Sequence, residues 1–275
     1  MAQTKTKLLY VYGISAASDV LEANLSFAEG IGGQAIQIKV YEDLAAVLTE
    51  VDRETFCQEQ IDLHVKDPEW LKEKAFHHHE SIAAVQQQFT ILPMSFCTIF
   101  EQDKNLQILL MNQHDVILQK LKKLRGKQEW NVKMFCSFDR LRSFVALKNP
   151  AVKELENQMA SMPKGKQFLM KKRLVHLVES ELEREQAQLW FKVTKQLEPF
   201  VCDQLVRQNW KTEMTEIDEE MTANCDFLIE KEKAGEFFQK IEEIEEQMKE
   251  KGCLFHVTGP WPPYHFSKMM KATES

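Results

Sequence analysis

The chain has 275 residues, 44% hydrophobic and 28% charged, a globular balance that excludes disordered and collagen-like chains and leaves room for two ordinary domains, each with its own core. A formal net charge of −7 argues against a general nucleic-acid binder, which needs a concentrated basic face. Six cysteines at 57, 97, 136, 202, 225 and 253 stand singly, with no CxxC pair and no zinc-like spacing. With a beginning, MAQTKTKLLYVYG, that lacks a signal-peptide core, they point to a reducing cytoplasm; no apolar run approaches the roughly 20 residues that span a bilayer, so no transmembrane segment is expected.

In chain order, residues 8–14 are rich in Leu, Tyr and Val and predict a buried strand. Residues 35–41 alternate Ile36, Ile38 and Val40 with polar partners, and residues 45–51 follow Glu42-Asp43, so the two predict a hairpin. Asp67-Pro68 opens a helix over 67–89, and residues 90–92 and 98–100 are extended around Pro93. Leu106, Leu109, Leu110, Ile117, Leu121 and Leu124 predict one helix over 105–124, stopping before Gly126.

The pattern then restarts. Residues 129–138 alternate Trp130, Val132, Met134 and Cys136 as a strand, and helical segments fill 151–197, the longer beginning after Pro163. Its stripe is Leu174, Val178, Leu182, Leu189, Val193 and Leu197. Residues 210–217 and 223–230 read as extended, 231–251 as an amphipathic helix capped by Gly252, and 253–257 as a last strand. Strand, helix, strand, strand, helix, strand is the βαββαβ order of a ferredoxin-like domain. The expectation is an α+β fold of two domains, an N-terminal α+β domain over 1–126 and a ferredoxin-like one over 127–258, followed by an extended tail over 259–275.

That tail holds the motif HVTGPWPPYHF, residues 256–266. Gly259, Pro260, Pro262 and Pro263 can neither continue a helix nor sit in a central strand, so the segment is extended or turned. Trp261, Pro262, Pro263, Tyr264 and Phe266 are the candidate interaction residues, because a stiff aromatic segment loses little entropy when it lies in a groove. Both a groove of the same chain and a partner's remain open. The PxxP at 260–263 lacks the flanking basic residues of an SH3 ligand.

Candidate chemistry is sparse. His77-His78-His79-Glu80 places its imidazoles about 100° apart on a helix, so the three cannot face one metal; a helical ligand pair here would be Glu73 with His77. Packing or a solvated face is the simpler reading, and a ligand- or metal-binding regulatory module using His77 and His79 is the alternative. Gly30, Gly32 and Gly33 precede a strand rather than follow one, the wrong side for a dinucleotide fingerprint. There is no Walker lysine or GxSxG elbow, and Cys97 lacks a basic neighbour that would activate it. Lys164, Lys166, Lys171, Lys172 and Arg173 begin the long helix at the end where its dipole disfavours cations, either as a patch for acidic partners or as a solvated face. No catalytic residue, cofactor or metal is expected.

Several stretches together, LLYVYGIS (8–15), EDLAAVLTEV (42–51), WLKEKAFHHHESIAAV (70–85), FTILPMSFCTIF (89–100), QEWNVKMFC (128–136), PKGKQFLMKKRL (163–174), NCDFLIEKE (224–232) and HVTGPWPPYHF, resemble the gas vesicle accessory proteins of the GvpL/GvpF family, its GvpL members most of all. The resemblance runs nearly end to end, and GPWPPYHF is its most diagnostic block. Cys97 is a departure, since many relatives carry glycine there. The resemblance implies a non-enzymatic role in assembling a hollow gas-filled shell, in the gas vesicle or the cytoplasm, by binding the hydrophobic shell subunit GvpA and other accessory proteins. A subunit that polymerises through apolar surface aggregates when released alone, so a partner must shield it. Trp261, Tyr264 and Phe266 are expected to lie across the junction of the two domains as an internal clamp.

Overall fold

Ten residues, Lys7–Ala16, form the first strand, β1, and almost all of them are buried, as a continuous apolar run requires of a central strand. The structure, a computed structural model, describes residues 7–21, 29–215 and 217–267. The first six residues of the N-terminal stretch and residues 268–275 of the expected tail lie outside them. Contacts divide the chain into two units, residues 1–128 with 260–275, and residues 129–259.

In the first unit β1 leads into α1 (Ala17–Val20), and β2 (Gln37–Tyr41) and β3 (Leu44–Asp52) form the expected hairpin. Glu42 takes the positive φ, 54°, that a two-residue hairpin needs at its first turn position. β3 pairs antiparallel with β1 from Lys7↔Asp52 to Ala16↔Leu44, with an irregularity between Val11 and Gly13. α2 (Arg53–Phe56), α3 (Gln58–His64) and α4 (Pro68–Gln86) follow. Asp67 caps α4 by accepting a hydrogen bond from the Glu69 amide at 3.0 Å, with Pro68 in the first turn. β4 (Leu92–Pro93) and β5 (Ile99–Phe100) both pair antiparallel with β1. Tyr10, Tyr12, Val47 and Val51 of the sheet form a core with Ile82 and Val85 of α4.

The helix expected over 105–124 is two: α5 (Asp103–Asn112) and α6 (His114–Leu124), broken at Gln113, whose φ and ψ are −116° and 13°. Leu110 and Ile117 are seven residues apart, so an unbroken helix would present them on one face; no glycine or proline marks the break. Asp103, in the first turn of α5, takes an ion pair from Lys39 at 2.7 Å and a hydrogen bond from the Tyr41 hydroxyl, tying α5 to β2.

The second unit contains β6 (Lys127–Cys136), α7 (Phe138–Lys148), α8 (Pro150–Ala160), α9 (Lys164–Leu197), β7 (Val201–Val206), β8 (Glu220–Glu230), α10 (Ala234–Met248) and β9 (Cys253–Trp261). The sheet order is β7-β8-β6-β9. Its core packs alternate residues of β6 (Val132, Met134, Cys136) and β8 (Cys225, Phe227, Ile229) against Leu182, Leu189, Val193 and Leu197 of α9 and Phe237, Ile241, Ile244 and Met248 of α10. The two antiparallel sheets with helices packed on them make a mixed helix and sheet fold.

Two local expectations are corrected. Helix α7 was not anticipated; it buries only Leu141 and Val145, too thin a stripe to stand out after a strand ending in Phe135 and Cys136. The strand beside β8 is Val201–Val206, whereas residues 210–217 hold a short 3-10 turn, Thr212–Met214, with residue 216 outside the described set. β7 is an edge strand that leaves Gln204, Leu205 and Val206 exposed, so its burial does not alternate.

At the end of α10, Gly252 adopts φ 78°, the left-handed cap. A Cβ there would sit 2.7 Å from Arg140 Cβ and 3.2 Å from Ser137 Cβ, and the Gly252 carbonyl accepts from the Ser137 amide at 2.9 Å. The start of α7 thus packs directly on this glycine. Among the described residues, no helix is long and apolar enough to cross a membrane.

Candidate interaction site

β9 continues through Gly259 and Pro260 to Trp261, at the edge of its sheet, where a proline forfeits no bond of a central ladder. Gly259 has φ 137°, and a Cβ would lie 2.8 Å from the Trp130 ring. The chain then turns tightly. The Tyr264 amide donates to the Pro262 carbonyl at 2.6 Å, and the Ser267 amide to the Pro263 carbonyl at 2.9 Å.

This turn lies on α4 of the first unit. The Trp261 ring is 5.2 Å from the His79 ring and inclined at 50°; the Tyr264 ring is 6.1 Å from it. Tyr264 Oη is 3.3 Å from His79 Nδ1, and Gln86 Nε2 donates to the Trp261 carbonyl at 3.5 Å. Tyr264 also packs against the first unit's core. Pro262 and Pro263 are buried, Phe266 is half-buried, and Trp261 keeps 37% of its surface exposed. The five tail candidates therefore stand together as one folded turn, and what Trp261 and Tyr264 meet is a helix 175–185 residues earlier in the chain.

The three histidines go to three places. His77 Nε2 donates to the Glu29 carbonyl at 3.0 Å, and His79 meets the tail. His78 is buried at 3% exposure, stacked on Tyr12 at 5.7 Å and 20° and set edge-on to Tyr10 and Phe96. Its Nδ1 is 2.8 Å from the Tyr10 hydroxyl, while Nε2 is buried with no well-formed hydrogen bond. Burial, only partly offset by the Met94 backbone, pushes its pKa down to about 4, so the ring is neutral at pH 7. Burial also raises the Tyr10 phenol, which keeps its proton at neutral pH and shares a hydrogen bond with Nδ1. The arrangement is a core polar pair, invisible in sequence because its partners are 68 residues apart.

Cys97 adopts φ 61°. Its place in a left-handed turn is the physical content of the glycine expected there, so the departure costs backbone strain, not only packing. Burial raises its thiol to about 11, which leaves it unreactive near neutral pH.

Three further features stand outside the tail and the histidine run; the first two were not anticipated, and the third is the basic helix start. A cleft of about 750 Å³ lies between the β2–β3 turn and the α5–α6 turn, walled by Val40, Tyr41, Met111, His114 and Val116. His114 there is held above the usual imidazole range by its hydrogen bond to Asp115, with Asp43 and Glu42 adding to it. In the second unit Asp226, buried, takes Arg207 Nη1 at 2.9 Å and Asn131 Nδ2 at 2.8 Å, and Lys133 lies 4.0 Å above the Trp210 ring. The start of α9 exposes apolar side chains among its cations. None of these groupings sets a nucleophile beside an activating base.

Known proteins match most of the chain. A family model described as gas vesicle synthesis protein GvpL/GvpF matches residues 8–268. Gas vesicle protein L of a Streptomyces species is 25% identical over 268 residues, 95% of this chain and 93% of that protein, and gas vesicle protein L of Haloferax mediterranei is 24% identical over 86% and 72% of the two chains. The crystal structure of GvpF from an Anabaena species has a TM-score of 0.67 at 19% identity, covering 96% of this chain and 99% of that one. GvpF from Microcystis aeruginosa gives 0.63 at 18%, over 95% and 99%, so the fold is shared where sequence has largely diverged. With a match that begins at the first strand and runs through the Pro/aromatic turn, the chain belongs to the GvpL/GvpF family of gas vesicle proteins.

Proposed function

We propose that this chain is a non-enzymatic accessory protein of gas vesicle assembly that binds the hydrophobic shell subunit GvpA, other accessory proteins, or both. The family match over residues 8–268 carries the reading. It is supported by the histidine run, whose His77, His78 and His79 meet three different partners rather than one ligand. A GvpA subunit released alone must have its apolar surface covered until it joins the growing shell, and a partner protein with its own stable cores can do that without turnover. The place of action is then the cytoplasm or the vesicle itself.

Within this reading the second unit is a ferredoxin-like domain: the order β7-β8-β6-β9, with α9 and α10 packed on the sheet, supports that assignment. The division at residues 126–128 is that of the two domains, and the tail is an internal clamp whose aromatic residues hold α4. Stiff proline-aromatic chain docks on its own molecule at small entropic cost. The test is co-expression of GvpA with and without this chain. Soluble GvpA recovered in a stoichiometric complex is expected; GvpA that stays insoluble whether or not the chain is present overturns direct binding.

A further inference from the structure

α9 is 34 residues long, about 50 Å at 1.5 Å per residue, yet its buried residues begin only at Leu182. Phe168, Val175, Leu182 and Leu189 recur every seven positions and drift by about 20° per repeat, so they form one stripe. Leu182 and Leu189 are core, whereas Phe168 is 73% exposed and Val175 55%. The stripe that packs the second half of α9 therefore runs on past its own partners. Leu169, 74% exposed, stands about 100° from it.

The same turns carry Lys164, Lys166, Lys171, Lys172 and Arg173 and no acidic residue. Placed near a helix N-terminus, these cations oppose the macrodipole, so they do not serve the helix. None of the five makes an ion pair among the described residues. The glutamates further along are engaged within the unit: Glu179 with Arg142, Glu181 with Asn149 and Arg184, Glu185 with Lys192 and Lys251. An apolar seam in heptad register, bordered by unpaired cations, is one half of a helix–helix contact.

We infer that the exposed seam at Phe168 and Val175, with Lys164, Lys171 and Lys172 beside it, docks an acidic amphipathic helix of a separate protein. A second copy of this chain fits less well, because it brings cations against cations and three of the four glutamates of α9, Glu179, Glu181 and Glu185, are already paired. A bilayer fits less well too, because the exposed stripe is one residue wide, Phe168 and Val175 seven positions apart with Leu169 to one side, rather than a broad apolar face. The inference does not depend on GvpA being a partner, and its failure leaves that reading standing.

The probe is a labelled three-heptad helical peptide with leucine at the seam positions and glutamate at the flanking ones, read by fluorescence anisotropy with the full chain. Binding is expected that weakens at least tenfold in Lys171→Glu/Lys172→Glu and in Phe168→Ser/Val175→Ser, falls with added salt, and is absent for the lysine-flanked peptide. Because these side chains are exposed, circular dichroism melts of both variants are expected to match the parent chain, which separates lost docking from lost folding. No binding of the acidic peptide, or equal binding by both variants, overturns the inference. So does a self-association in sedimentation that Phe168→Ser/Val175→Ser removes while the peptide goes unbound, or binding to phosphatidylserine vesicles through the same residues without binding to the peptide.

Discussion

At His78 one buried ring decides an acid sensitivity. Its folded pKa, about 4, lies below the ordinary 6.5, so the stability it contributes is complete above pH 6.5 and is lost as pH falls toward 4. The full window corresponds to on the order of 3 kcal/mol. Urea melts at pH 7 and pH 5 should show parent-chain stability falling between them, with the fall shrinking in His78→Phe; equal pH slopes for the two proteins contradict this. Cys97 makes a second prediction. A β-branched residue in its left-handed conformation is strained, so Cys97→Val should lower stability by about 1–2 kcal/mol while Cys97→Gly leaves the melting temperature level or raised. Both residues sit in quoted motifs, yet sequence alone assigned neither role: the partner of His78 is Tyr10, and the φ of Cys97 is a property of a turn that pattern cannot display.

Among the elements, legibility followed burial. β1, β3, α4, β8 and α10 were all anticipated, since each buries a periodic set such as Phe237, Ile241, Ile244 and Met248. Those missed include edge strand β7, thinly buried α7, the short helices α1, α2 and α3, and the Gln113 break in a run whose leucines stay in phase. The tail shows both sides. Its turned geometry followed from Gly259 and the prolines, but its place on α4 rests on His79 and Gln86, far away in the sequence. Trp261→Ala/Tyr264→Ala should destabilise the first unit by about 2–4 kcal/mol, through lost aromatic burial and lost contact with His79. A double variant with unchanged thermal stability would sink the clamp. Gly252→Ala should lower stability by about 1–3 kcal/mol, because φ 78° and the 2.7 Å approach to Arg140 Cβ leave no room; a melt that coincides with the parent's contradicts that.

For the molecule, the likeness to GvpF at under 20% identity, with TM-scores of 0.67 and 0.63 over nearly the whole chain, shows a fold held while most side chains changed. The fold does not by itself name a partner, since function sits in particular surfaces. Two surfaces are distinguished here by chemistry: the occupied face of α4, covered by the chain's own tail, and the uncovered start of α9. The central claim, that the chain keeps a hydrophobic shell subunit from aggregating, is tested most directly by co-expressing it with GvpA and measuring how much GvpA stays soluble and co-purifies. The reading predicts a defined soluble complex whose GvpA content collapses when this chain is left out; GvpA that is equally insoluble with and without the chain, and never elutes with it, contradicts it.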